Sequence, residues 1–190
     1  MYILGIDPGT GRTGWGIIRH DGDEKVSYVA HGCVVTSQEE PMHRRLRTLY
    51  TSLQEIVNNH KPDIIVIEQI FFGINSRTAM SVSQARGVML LLCAQENLQF
   101  FEYTPVSVKL LVAGSGKTEK KEMQKVVRRL LSKNERTLSF SAKDKAFDDA
   151  ADGLAIAIHH AWKSIGKTVE KEVKKVKQSA RTVKKKHAKI

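Results

Sequence analysis

The stretch "YILGIDPGTGRTGWGII", residues 2–18, decides the fold. Tyr2, Ile3, Leu4 and Ile6 form an apolar run that reads as a buried strand, and the run ends on Asp7. Pro8, Gly9, Gly11, Gly14 and Gly16 come after it. Gly9, Gly11 and Gly14 satisfy G-x-G-x-x-G, the dinucleotide fingerprint, which needs a helix next so that a pyrophosphate meets free N–H groups. The next residues are instead Trp15, Gly16, Ile17 and Ile18. Glycine is costly inside a helix, and aromatic and β-branched residues favour strand. The stretch therefore reads as strand, glycine-rich turn, strand. Asp7, taken alone, has two readings. Asp before Pro-Gly makes turns; a carboxylate at the exit of a core strand, beside so little side chain, also suits a site.

The 190 residues are enough for one domain with a sizeable core, and 41% hydrophobic with 27% charged residues is the balance of a soluble globular protein. The longest apolar run, "GVMLLLCA" from Gly87, falls well short of the ~18 residues of a membrane span. The N-terminus enters a strand directly, without the charged region and cleavage site of a secretory signal. Cys33 and Cys93 stand far apart with no C-x-x-C and read as buried free thiols in a reducing cytoplasm. The net charge of +11 is uneven: from Lys163 onward there are 11 Lys/Arg against Glu170 and Glu172. Residues 1–162 are thus expected to form the folded domain. Residues 163–190 are expected to be a basic tail, a frayed helix or flexible arm suited to a polyanion.

Residues 2–7, 13–19 and 26–36 read as three strands of a meander. Residues 40–60 carry apolar side chains at helical spacing, and Pro62 and Asp63 break them. "IIVIE", Ile64 to Glu68, is a β-branched run of the kind buried on both faces. Residues 77–97 read as a helix, with Ala79, Ala85 and Gly87 where another helix could pack closely. "QFFEY" from Gln99 is a short strand, and Pro105 opens a short helix. Lys120 to Leu131 reads as an amphipathic basic helix and Lys145 to Trp162 as an Ala-rich one. The order β-β-β-α-β-α-β-α-α implies an α/β fold on one central sheet.

Asp7 and Glu68 each end a core strand, and Asp149 and Asp152 stand three apart at the start of a helix, on one face. If these ends converge, several carboxylates repel one another. A hard divalent cation resolves that conflict, and two such ions about 3.5–4 Å apart clamp the oxygens of a phosphodiester. Each acid also has a plainer reading: Glu68 as an exposed strand-end charge, Asp148 and Asp149 as helix-start residues favoured by the macrodipole. That second reading does not extend to Asp152, on an Ala-rich apolar face. His159 and His160, about two turns further along, read as packing residues. "AGSGKT" from Ala113 imitates a P-loop, but G-x-x-x-x-G-K-[ST] requires glycine where Leu111 stands.

"GIDPGTGRTGWG", "IIVIEQIFF", "QARG", "GSGKTEKKEMQ" and "DDAADGLAIAIHH" together resemble the RuvC family, the Holliday-junction resolvases of the ribonuclease H-like superfamily. The resemblance runs in order over residues 1–162. The first motif alone also looks like the phosphate loop of actin-like kinases, but those need two such domains. A second class of reading is a junction-binding protein without chemistry; four acids in place argue against it. The resemblance implies a ribonuclease H-like fold with a central five-stranded mixed sheet flanked by helices. It implies a homodimer that nicks four-way junctions symmetrically, leaving 5′-phosphate ends, with Mg²⁺ (or Mn²⁺ as a substitute), two ions per site. It also implies a branch-migration helicase partner of the RuvA and RuvB type. By position, Asp7, Glu68, Asp149 and Asp152 match the metal-binding acids, with Asp148 an extra neighbour. Phe71, or Phe72 beside it, matches an aromatic that stacks on bases, and Lys109 and Lys120 match basic residues near the scissile phosphate. Lys117 is a third candidate in the same loop. "SRTAMSVSQARGVML", residues 76–90, matches the helix near the dimer axis.

Overall fold

The computed structural model describes residues 1–69, 76–132 and 145–166, with side chains from 79 and from 147 in the second and third stretches. Phe71, Phe72 and the basic tail beyond residue 166 lie outside the described residues. Five strands, β1 (Tyr2–Asp7), β2 (Arg12–His20), β3 (Val26–Val35), β4 (Ile64–Glu68) and β5 (Gln99–Tyr103), form one sheet in the order β3-β2-β1-β4-β5. β1, β2 and β3 pair antiparallel, whereas β4 lies parallel to β1 and β5 parallel to β4. The expected glycine-rich hairpin is therefore present: Asp7 faces Gly14 across the β1–β2 pair. A register shift between Ile17 and Ile18, which the alternating pattern did not announce, offsets β3 against β2.

The helices are α1 (Met42–His60), α2 (Ser76–Gln95), α3 (Pro105–Ala113), α4 (Lys120–Ser132) and α5 (Lys145–Ser164). Side chains alternate between the two sheet faces, and the core divides accordingly. Leu4, Ile6, Ile17, Ile65 and Ile67 join Leu49, Leu53, Met89 and Leu92 of α1 and α2 on one face. Ile3, Ile18 and Val66 join α3, α4 and α5 on the other. By the same parity, Asp7, Gly5, Gly14, Gly16 and Glu68 belong to the α5 face.

Contact between α5 and the sheet is unusually close. A Cβ on Gly5 would overlap the Gly153 carbonyl oxygen and stand 2.9 Å from the Ala157 nitrogen. One on Gly14 would overlap the Asp149 carbonyl oxygen. Glycine is needed at these two positions because helix backbone occupies the space a side chain would take. Around the contact, Leu154, Ile156, Ile158 and Trp162 are fully buried, and the Trp162 indole donates to the Glu24 carbonyl at 3.0 Å. His159 and His160 are buried as packing residues: His160 Nδ1 pairs with the Tyr103 hydroxyl at 2.9 Å and His159 Nε2 with Ser107 Oγ at 3.4 Å.

Of the two cysteines expected to be buried, Cys93 is; Cys33 is half-buried, because β3 is the edge of the sheet. No described helix is long and apolar enough to cross a membrane.

A methyl group at residue 5 has only backbone to push against. Gly5→Ala is expected to cost roughly 3 kcal/mol or more, the upper range for overpacking. For a chain of this size that lowers Tm on the order of 6–12 °C; an unchanged melting curve would contradict the backbone-on-backbone seating of α5.

Candidate active site

β1 and β4 are adjacent and parallel, so their carboxyl ends emerge side by side. Open α/β sheets bind ligands at such ends. Asp7 and Glu68 are the last residues of these strands. Both carboxyl groups have pKa values raised by burial. The next cause is charge: Asp152 acts on Asp7, and Asp7 and Asp152 act on Glu68. The two carboxyl groups are close enough to interact directly, which favours the proton on Glu68 over Asp7. Lys120 pulls Asp7 in the opposite direction, and Lys109 of α3 does the same for Glu68.

The second half of the site comes from the first turns of α5, held over the β1–β2 hairpin by the Gly14 contact. Asp152 pairs with Lys120 Nζ at 2.9 Å, and this raises the Lys120 pKa. Asp149 is forked by Arg12: Nε donates to Oδ1 at 3.1 Å and Nη2 donates to Oδ2. Cys33, opposite Gly14 on β3, stands beside this pair; burial and then the Asp149 charge raise its thiol pKa. Asp148 is turned toward α4, where Arg128 Nη2 donates to its Oδ1 at 3.1 Å.

The structure thus groups Asp7, Glu68 and Asp152 electrostatically, with Lys109 and Lys120 at their edge. Asp149 lies next to that group but is engaged by Arg12, and Asp148 is engaged elsewhere. Lys117 is exposed in the loop between α3 and α4, its backbone N–H donating to Ser115 Oγ at 3.3 Å. Among the described residues no three carboxylate, imidazole or thiol groups are arranged as a ready-made metal cage. The donor set nevertheless fits a hard divalent cation: it is all carboxylate oxygen, and its members destabilise one another's charged forms. Arg12 was not singled out from the sequence, although it lies within the stretch that decided the fold. A basic residue in a glycine-rich turn carries no periodic signal, and its partner is 137 positions away.

A family profile described as crossover junction endodeoxyribonuclease RuvC matches residues 3–160. The RuvC of Pelotomaculum thermopropionicum is 44% identical over 161 residues, 85% of this chain and 93% of that one. The RuvC of Rubrobacter xylanophilus is 41% identical over 162 residues, 85% of this chain and 86% of that one. The solved structure of Thermus thermophilus RuvC in complex with its Holliday junction substrate superposes with a TM-score of 0.76 at 28% identity. That superposition covers 88% of this chain and 97% of that one. The chain belongs to the RuvC family of crossover junction endodeoxyribonucleases, the resolvases of Holliday junctions.

Proposed function

We propose that Asp7, Glu68, Asp149 and Asp152 are the catalytic, metal-binding acids of this resolvase. The observation that carries the reading is the meeting of two strand-end carboxylates with the first turns of α5 on one face of the sheet. When bound, Mg²⁺ (or Mn²⁺ in its place), two ions per site, supplies the charge that neutralises these acids and polarises the scissile phosphodiester. The chain's own residues do the rest. The acids set the position of the reacting phosphate, and the glycine-rich hairpin leaves room for a DNA backbone to reach it. Lys109 and Lys120 flank the acids and attract the phosphate, with Lys117 extending the basic edge. Water attacks phosphorus in line, the bond to the 3′ oxygen breaks, and a 5′-phosphate and a 3′-hydroxyl remain for a ligase to seal.

Four-way junction DNA is the substrate in this reading, and a homodimer supplies the two nicks. The outer stripe of α2 suits a subunit interface: Met80 is 72% and Leu91 52% exposed, with Gln84 and Gly87, both exposed, between them at spacings of four, three and four. Gly87 has open space where a Cβ would be, so a second helix could approach there. A RuvA and RuvB type branch-migration complex delivers the junction. The basic tail after residue 162 adds sequence-independent attraction to phosphate.

Asp7→Asn, Glu68→Gln, Asp149→Asn and Asp152→Asn are each expected to abolish nicking of a mobile four-way junction in Mg²⁺ while junction binding persists. Loss of binding together with cutting, in a folded variant, would contradict the assignment. Because the folded protein raises the Glu68 pKa, its ionisation above the ordinary carboxylate range costs folding stability. Glu68→Gln removes that cost. At about pH 8 without metal the variant should therefore melt higher than the parent, by about 2–4 °C per kcal/mol relieved.

A duplex offers the same phosphates as a junction, so selectivity needs something that charge does not provide. Stacking on an unpaired base contributes roughly 1–3 kcal/mol. Phe71, three residues beyond Glu68, is the proposed stacking residue, with Phe72 the alternative. Phe71→Ala should fold and bind junctions but cut them slowly in single-turnover assays. A slow Phe72→Ala beside a normal Phe71→Ala moves the role one residue along.

Leu91→Glu should yield a monomer by sedimentation and leave junctions singly nicked. A dimeric variant with paired nicks would place the subunit interface elsewhere.

A further inference from the structure

The acids at the start of α5 each face a base from another element. Asp148 faces Arg128 on α4, Asp152 faces Lys120 at the N-terminus of α4, and Asp149 faces Arg12 at the start of β2. The consequences differ. Lys120 is a point charge on one oxygen of Asp152, and Asp152 still acts on Asp7 and Glu68. Arg12 occupies both oxygens of Asp149 with a planar fork. A carboxylate held that way has one lone pair of each oxygen engaged and its charge offset by the guanidinium, which makes it a weaker ligand for a cation than a free carboxylate.

The guanidinium is reachable. The Arg12 side chain is 55% exposed against 28% for Asp149, and it stands at the turn end of the glycine-rich hairpin, on the first residue of β2. Its near neighbours are the Asp149 carboxylate and the Cys33 thiol. A DNA phosphate presents the same bidentate acceptor geometry as a carboxylate, and guanidinium binds both well. The same two N–H groups cannot serve Asp149 and a phosphate together.

We infer that Arg12 is a positioning residue: it holds Asp149 out of the metal site in the free protein and releases it when a DNA phosphate takes the guanidinium. Substrate thereby completes the site that will cut it. The inference rests on the reading of Asp149 as a metal ligand. By linkage, junction and metal then bind cooperatively, each tightening the other by the same factor. A resolvase built this way is poorly loaded with metal until DNA is in place.

The test uses the full chain and Mn²⁺ as the probe, titrated calorimetrically without DNA. Arg12→Gln should bind Mn²⁺ roughly fivefold more tightly than the parent, the upper range for releasing an exposed ion pair. Arg12→Lys keeps the charge but loses the fork, and should also tighten. Arg45→Gln removes a charge from the flank of the same turn, where Arg45 Nε donates to Thr36 Oγ1 at 3.0 Å, and should match the parent. Parental affinity in both Arg12 variants overturns the latch. So does equal tightening in Arg45→Gln, which would reduce the effect to net charge. Adding Asp149→Asn to Arg12→Gln should cancel the gain. A gain that survives the double substitution means that Asp149 is not the ligand released, and the underlying assignment fails. If instead Arg12→Gln gains nothing but Asp149→Asn still abolishes nicking, the latch alone fails. Junction binding in EDTA gives the second measurement: Arg12→Gln should reduce the slope of log K against log salt by about 0.9, one phosphate contact. An unchanged slope overturns the release onto DNA.

Discussion

The site depends on α5 lying against the sheet at backbone distance. Where Gly5, Gly14 and Gly153 bring the two backbones together, no side chain separates helix from strand. An ordinary helix-on-sheet contact keeps its partners about a side chain's width further apart. Here the first turns of α5 come down onto the β1–β2 hairpin, and Asp149 and Asp152 arrive beside Asp7. Burial of Leu154, Ile156, Ile158 and Trp162 holds the helix in place along the rest of its length.

That seating concentrates negative charge at the carboxyl ends of β1 and β4. The protein offsets it with bases drawn from several elements: Arg12 from β2, Lys109 from α3, and Lys120 and Arg128 from α4. These bases stand where DNA phosphates would also be attracted. On the proposed reading, the bases that offset these acids are also the ones that meet substrate phosphate. The raised pKa values of Asp7 and Glu68 express the strain that remains after this compensation. Carboxylates that destabilise one another's charged forms are the kind of group a divalent cation relieves.

The two faces of the sheet divide the work. On the α1–α2 face, aliphatic side chains pack conventionally, and α2 presents Met80 and Leu91 outward. On the α5 face, glycine replaces side chains under the helix and the acids gather at one end. Parity along β1 makes the division strict: Leu4 and Ile6 go one way, Gly5 and Asp7 the other. A one-residue slip in the pairing of β1 would bury Asp7 among α1 and α2 and leave the site without its first acid.

Local patterns along the chain specify the elements and much of their arrangement. Strand exits at Asp7 and Glu68, the hairpin in place of a dinucleotide-binding helix, the three-residue spacing of Asp149 and Asp152 and the family resemblance were all legible. Each rests on a local pattern, on alternation or helical period, or on motifs in a fixed order. Tertiary structure decided what depends on contacts between distant residues. That Arg12 rather than a lysine engages Asp149, 137 positions away, results from how α5 docks and not from any pattern in the turn. The half-exposed Cys33 likewise reflects the place of β3 at the edge of the sheet, and the register shift in β2–β3 is a property of the pairing, which neither strand announces alone. The glycines of the opening stretch were visible at once as turn formers and strand breakers. Only packing revealed that two of the chain's glycines, Gly5 and Gly14, are there to let a helix backbone in, because the space they leave empty is filled by Gly153 and Asp149, far along the chain.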